Sequence, residues 1–187
     1  MSEVDVFLRQ ETWSAILGAV AIPVSVWRFQ LKSRNALLLS IVPLMFLIGG
    51  SYWLAGELQG AAVVVASSSM AVTQAFLGMG RHRHHFLLRH ARVWLSLVAM
   101  VAAAIYAPPL SWIACIPFLA FMIAKWADHY MNPFKLRRAI LFATVLWGLY
   151  AGLTGNMEIL ALEVFTFASN VWWLFRFRAA EARCSMY

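Results

Sequence analysis

Charge is scarce in this chain: of 187 residues, 12% are Asp, Glu, Lys or Arg and 63% are hydrophobic, whereas a soluble domain carries roughly 25% charged residues. Water is therefore not its main solvent, and no soluble domain fits. Cysteine is almost missing. Cys115 and Cys184 stand far apart and outside any C-x-x-C pair, which excludes a disulfide framework and a thiol redox centre. No basic start precedes the first apolar run. Glu3, Asp5, Arg9 and Glu11 stand there instead, the reverse of a signal peptide, so no cleaved segment is expected. No histidine falls within an apolar stretch and the seventh stretch has no lysine, which excludes a haem between helices and a retinal Schiff base. Nothing pairs a nucleophile with a base, so neither an enzyme nor a cofactor is expected.

What the chain has is apolar runs. They lie at 13–27, 36–54, 60–80, 93–107, 110–124, 139–153 and 159–175, each close to the ~20 residues that cross a bilayer as a helix. The expected fold is all-α and polytopic, with seven transmembrane helices in one domain over 1–187. The first, fourth, fifth and sixth runs are short and need flanking residues to reach both interfaces. Every Lys and Arg except Arg9 falls in 28–34, 81–92, 125–138 or 176–183, and these segments alternate with connections holding Glu57, Pro108, Pro109 and Glu158. Cytoplasmic loops collect basic residues, so the N-terminus is expected outside and the C-terminus in the cytoplasm. The net charge of +7 then reflects insertion and not nucleic-acid binding. The run Arg81-His82-Arg83-His84-His85, continued by Arg89, His90 and Arg92, repels a metal cation and suits anionic lipid headgroups.

A repeat appears at an offset of 99. Trp13 falls on Trp112, Trp27 on Trp126, Gly49 on Gly148, Gly56 on Gly155 and Phe76 on Phe175. Each unit spans three helices, an odd number, so a linking helix is needed to set the units parallel. The expected plan is three plus one plus three: a first repeat over 13–80, a linker helix over 93–107 and a second repeat over 110–178.

Glu163, Thr166, Asn170 and Trp173 share one face of the seventh helix by their spacing. An ionisable acid and an amide in hydrocarbon cost several kcal/mol without partners, so that face should line the bundle interior. A substrate cavity is one reading. Structural hydrogen bonding by Glu163 and interhelical bonding by Asn170 are the other. At the repeat offset Ser67 stands opposite Thr166 and Gln74 opposite Trp173. The hydroxyls and amides of Ser67, Ser68, Ser69, Thr73 and Gln74 suit a neutral polar solute, and the small serines equally suit close helix packing. Trp172 or Trp173, following Asn170, offers a ring on which a sugar or planar base can stack. Pro23, Pro43 and Pro117 interrupt the first, second and fifth helices and are candidate hinges.

The three-plus-one-plus-three layout with proline-interrupted helices resembles the SWEET and PQ-loop superfamily over nearly the whole chain. The pattern Glu163-x6-Asn170-x5-Arg176, with Trp147-Gly-Leu-Tyr150 and Gly155 before it, is similar to the YgjV family of bacterial inner-membrane proteins. Asn170-Val171-Trp172-Trp173 resembles the Asn-x-x-Trp motif of PnuC-type vitamin transporters. These likenesses imply the bacterial inner membrane and a facilitator for a small neutral sugar-, nucleoside- or vitamin-like solute, worked by alternating access. Asn170, Trp173, Trp172, Thr166, Ser67 and Gln74 would bind the solute, and Glu163 would gate or exchange a proton. Departures count against sugar: no Gln follows Pro23 or Pro117, and the third helix has no Asn to pair with Asn170. The alternative is a non-transporting scaffold or assembly partner. Homo-oligomerisation is compatible with either.

Overall fold

Pro43 has no amide hydrogen to give the Leu39 carbonyl four residues back, and its ring crowds that carbonyl. The second rod breaks just there. It consists of α2 (Arg34–Leu39) and α3 (Ile41–Leu54), with Ser40 between them donating its hydroxyl to the Leu37 carbonyl at 2.8 Å. The computed structural model describes residues 3–31, 34–77, 86–130 and 133–184. Its other helices are α1 (Glu3–Gln30), α4 (Leu58–Leu77), α5 (Phe86–Tyr106), α6 (Trp112–Tyr130), α7 (Pro133–Thr154) and α8 (Met157–Cys184). No strand occurs among the described residues. The chain is all-helical, in seven rods when α2 and α3 count as one.

By length and composition, Ala36–Leu54 and Met157–Arg176 suffice to cross a membrane, while Val93–Tyr106 and Trp112–Trp126 are shorter apolar helices. The helices outrun their apolar stretches. α1 has 28 residues and α7 has 22, about 42 and 33 Å at the α-helical rise. Several residues assigned to cytoplasmic loops by their charge are therefore helical: Arg28 closes α1, Lys125 and His129 belong to α6, His90 to α5, and Arg137 and Arg138 to α7. A charge count tells which end of a helix a residue marks, and not where the helix stops. The segment Arg81–His85 lies outside the described residues.

Six of the rods close a ring. α1 packs on α3, α3 on α4, α4 on α6, α6 on α7, α7 on α8, and α8 back on α1. α5 lies against α4 and α6, with Trp94, Val98 and Ile105 well exposed. Large apolar side chains cover the ring's exterior as well. Phe46, Phe142 and Phe175 are each at least 67% exposed, a surface that suits hydrocarbon and not water. Buried polar bonds tie neighbouring rods: Ser14 meets Ser51 at 3.0 Å between α1 and α3, and Ser25 meets Thr166 at 2.6 Å between α1 and α8.

The turns after α3 and α7 have one design. Gly56 and Gly155 take φ of +80° and +77°, the left-handed region open to glycine. Beyond each, an amide reaches five residues back, Glu57 to Tyr52 and Asn156 to Ala151, both at 2.9 Å, as in a Schellman cap. A Cβ at either glycine would meet nothing within 4 Å, so backbone conformation and not crowding selects the residue. Between these turns lies an aromatic cluster. Tyr52 stands 5.8 Å from Trp147 and 5.7 Å from Tyr150 between ring centroids. Gly60 makes room for it, since a Cβ there would lie 2.9 Å from the Tyr52 ring.

Candidate functional site

A cavity of about 130 Å³ occupies the middle of the ring, and every ring helix contributes to its wall. From the polar residues expected at the site, Ser67, Glu163 and Thr166 reach it. Spacing explains this: Glu163 and Thr166 stand one turn apart on α8, so if one faces inward the other does too. Thr166 is held by its hydrogen bond to Ser25, and Ser25 also lines the cavity. Ser68 is 1% exposed, lines the same wall, and its Oγ has no hydrogen-bond partner.

The remaining expected site residues lie elsewhere. Asn170 is fully buried, and its Nδ2 donates to the Arg137 carbonyl at 3.0 Å, which fastens α8 to the start of α7. Trp173 lies under the Arg137 guanidinium, 3.8 Å from the ring centroid, a cation–π contact that occupies the ring face. Trp172 is 64% exposed on the ring's exterior, so of the two adjacent tryptophans Trp173 is the one turned in. Gln74 is buried with neither amide atom hydrogen-bonded, away from the cavity wall. Pro23 and Pro117 sit inside unbroken α1 and α6, so the only chain break at a candidate hinge is the one before Pro43.

Sequence reasoning missed two cations in the wall, Arg28 and Lys125, together with Thr144 and Trp147. Lys125 is 4% exposed, and the Arg28 Nε donates to the Leu37 carbonyl at 3.1 Å. Both stand at the basic end of the bundle, past the apolar stretches. The inward turn of Lys125 would have been visible in its spacing from Phe121 and Pro117, which are buried on the same face.

At the opposite end a wider cavity of about 340 Å³ lies among α1 and the two glycine turns, with Glu11, Glu57 and Glu158 in its wall. The aromatic cluster separates the two spaces. Trp147 lines the central cavity, Glu57 lines the outer one, and the Tyr150 hydroxyl between them donates to Glu57 Oε2 at 2.8 Å.

A helical ring around an interior cavity, its wall largely apolar with a few polar groups, is the context for comparison with known proteins. No curated protein and no solved structure matches the chain. The family model Imp-YgjV, described as bacterial inner membrane protein, matches residues 12–181, and the chain belongs to that family.

Proposed function

We propose that the chain is a facilitator, not an enzyme, which carries a small polar solute across the inner membrane by alternating access through the central cavity. The observation that carries this reading is the cavity wall, which pairs off at the repeat offset: Ser67 with Thr166, Met45 with Thr144, Ile48 with Trp147. The matching turns at Gly56 and Gly155, and the helix starts at Leu58 and Met157 ninety-nine residues apart, support the same division. On this reading α1 to α4 form one three-helix unit, α6 to α8 the other, and α5 the linker. Two such units around a midplane site are a transporter design, with access alternating as one unit rocks on the other. A kinship with SWEET and PQ-loop carriers fits this plan and belongs to the proposal.

In this scheme the aromatic cluster seals the acidic end, which faces outward, and the basic end faces the cytoplasm with the C-terminus. The break before Pro43 is the natural hinge. Asn170 and Trp173 act at the inner mouth through Arg137, Gln74 and Trp172 have no contact with the solute, and Glu163 in the wall gates or exchanges a proton. Stopped-flow light scattering on proteoliposomes tests the idea with a panel of small polyols, sugars and carboxylates. At least one solute should enter faster than in empty liposomes, and Ser67→Trp, which fills the cavity, should remove the difference. A panel with no protein-dependent permeation would overturn transport in favour of a scaffold.

A further inference from the structure

Four protonatable side chains run in line through the aromatic seal. Glu57 stands in the wall of the outer cavity and Glu163 in the wall of the central one. Between them lie Tyr150, whose hydroxyl donates to Glu57 Oε2 at 2.8 Å, and Tyr52, whose ring centroid is 5.7 Å from that of Tyr150. Glu163 ends the line on the inner side. Its Cβ rests on α7 at Gly148, where an added Cβ would lie 3.6 Å away, next in the chain to Trp147 of the seal. The groups near enough to act electrostatically on the Tyr52 hydroxyl are Glu163, Tyr150 and Glu57, the other three members of the line.

A latch does not need all four. The Tyr150–Glu57 bond and the ring contacts already close the mouth, and a phenyl ring at position 52 would pack as well. Yet Tyr52 is fully buried and its hydroxyl has no hydrogen-bond partner, an unfavourable arrangement that packing does not explain. The repeat does not require the line either. At the offset of 99, Tyr52 falls on Ala151, Glu57 on Asn156, Tyr150 on Ser51 and Glu163 on Val64. The line therefore runs through the molecule once, and its members come alternately from the two units.

We infer that Glu163 exchanges its proton with the outer face through Tyr52, Tyr150 and Glu57, which makes the closed seal a proton relay into the central cavity. In the outward direction, ionised Glu57 takes the Tyr150 hydroxyl proton, Tyr150 Oη takes that of Tyr52, and Tyr52 Oη takes the carboxyl proton of Glu163. One proton has then moved: Glu163 is left ionised, Glu57 is protonated, and both phenols stay neutral because each receives a proton as it gives one. The same hops reversed carry a proton inward. Tyr52 Oη lies outside hydrogen-bonding distance of its neighbours, so the hops to and from it take a swing of the phenol or one intervening water. The charged groups around the two ends set which of them holds the proton at rest. They are Arg28 of α1 and Lys125 of α6 in the central wall with Glu163, and Glu11 of α1 and Glu158 of α8 in the outer wall with Glu57.

The inference rests on the transport reading, in which Glu163 gates or exchanges a proton, but its test needs no solute, so the two fail separately. The full chain is tethered in a lipid bilayer on an infrared-active surface: a C-terminal tag presents the acidic end to the bulk solution, and an N-terminal tag presents the basic end. After a step of the bulk to acid pH, the carboxylic C=O band that Glu163→Gln lacks reports protonation of Glu163. From the acidic end the wild-type band should rise, and Tyr52→Phe should slow the rise by about a hundredfold, the low end of what a positioned proton-transfer group contributes. From the basic end Tyr52→Phe should leave the rate unchanged, a sidedness that a merely structural hydroxyl would not give. Tyr52→Phe keeps the ring and removes no hydrogen bond, so the fold is retained, and Tyr150→Phe should slow the acidic-end rise as well. Equal rates for wild type and Tyr52→Phe from the acidic end overturn the relay, as does a wild-type chain with no Glu163 band after the step. Solute permeation without an acidic-end proton route leaves transport standing and this inference fallen; a working route in a chain that moves no solute does the opposite.

Discussion

At Gly56 and at Gly155 the chain makes the same turn, capped by the same five-residue reach, and α4 and α8 begin at equivalent points beyond. Past the turns the halves diverge. Where the first half presents Met45, Ile48 and Val64 to the cavity, the second presents Thr144, Trp147 and Glu163. The turn depends on a backbone conformation that only glycine takes without strain, so the residue cannot drift. A wall position has no such demand, and its side chain is free to take on chemistry. The comparison therefore separates what builds the ring from what the ring contains.

The largest effect expected from breaking this comparison is at Gly60, whose partner at the repeat offset is Ile159. One carries no side chain because Tyr52 lies against it, while the other is fully buried. Gly60→Val should destabilise by about 3 kcal/mol through overpacking, and Ile159→Ala by about 2 kcal/mol through the void it leaves, both read by reversible SDS unfolding. Next come the turns. Gly56→Ala and Gly155→Ala have open space for the methyl group, so each should cost only the left-handed strain, about 1 kcal/mol. Unequal costs in the same assay would show that the turns are not equivalent.

Smaller effects sharpen the contrast between the seventh-helix residues. Asn170→Ala removes the donor to the Arg137 carbonyl and should cost about 1 kcal/mol, within the range for interhelical bonds in membranes. Trp173→Leu should cost about 0.5–1 kcal/mol for the lost Arg137 contact. Trp172→Leu, on the exposed exterior, should leave stability unchanged, and a loss equal to that at Trp173 would contradict the assignment of the inward ring.

Much of the architecture was legible because hydrocarbon imposes simple rules. Seven apolar stretches became seven rods, and the Gly56 and Gly155 match announced two equal turns. The inward stripe of Glu163 and Thr166, with Ser67 opposite, followed from helical spacing and the penalty for polar groups in lipid. Arg28 and Lys125 were hidden by the same reasoning, since a hydropathy reading ends each span at its first charge. Asn170 and Trp173 were expected at a solute, and the structure shows them in contact with Arg137. That partner belongs to α7, and no spacing within α8 could name it. The break at Ser40 was implicit in Pro43, whereas nothing local distinguishes Pro23 and Pro117, which their helices absorb without a break.

The three rings at the acidic end come from both sides of the molecule, Tyr52 from α3 and Trp147 and Tyr150 from α7, and the phenol of Tyr150 is anchored on Glu57 just before α4. If the alternating-access proposal holds, a rotation that parts α3 from α7 breaks the Tyr52 ring contacts first, and the Tyr150–Glu57 bond ties that same cluster to the start of α4.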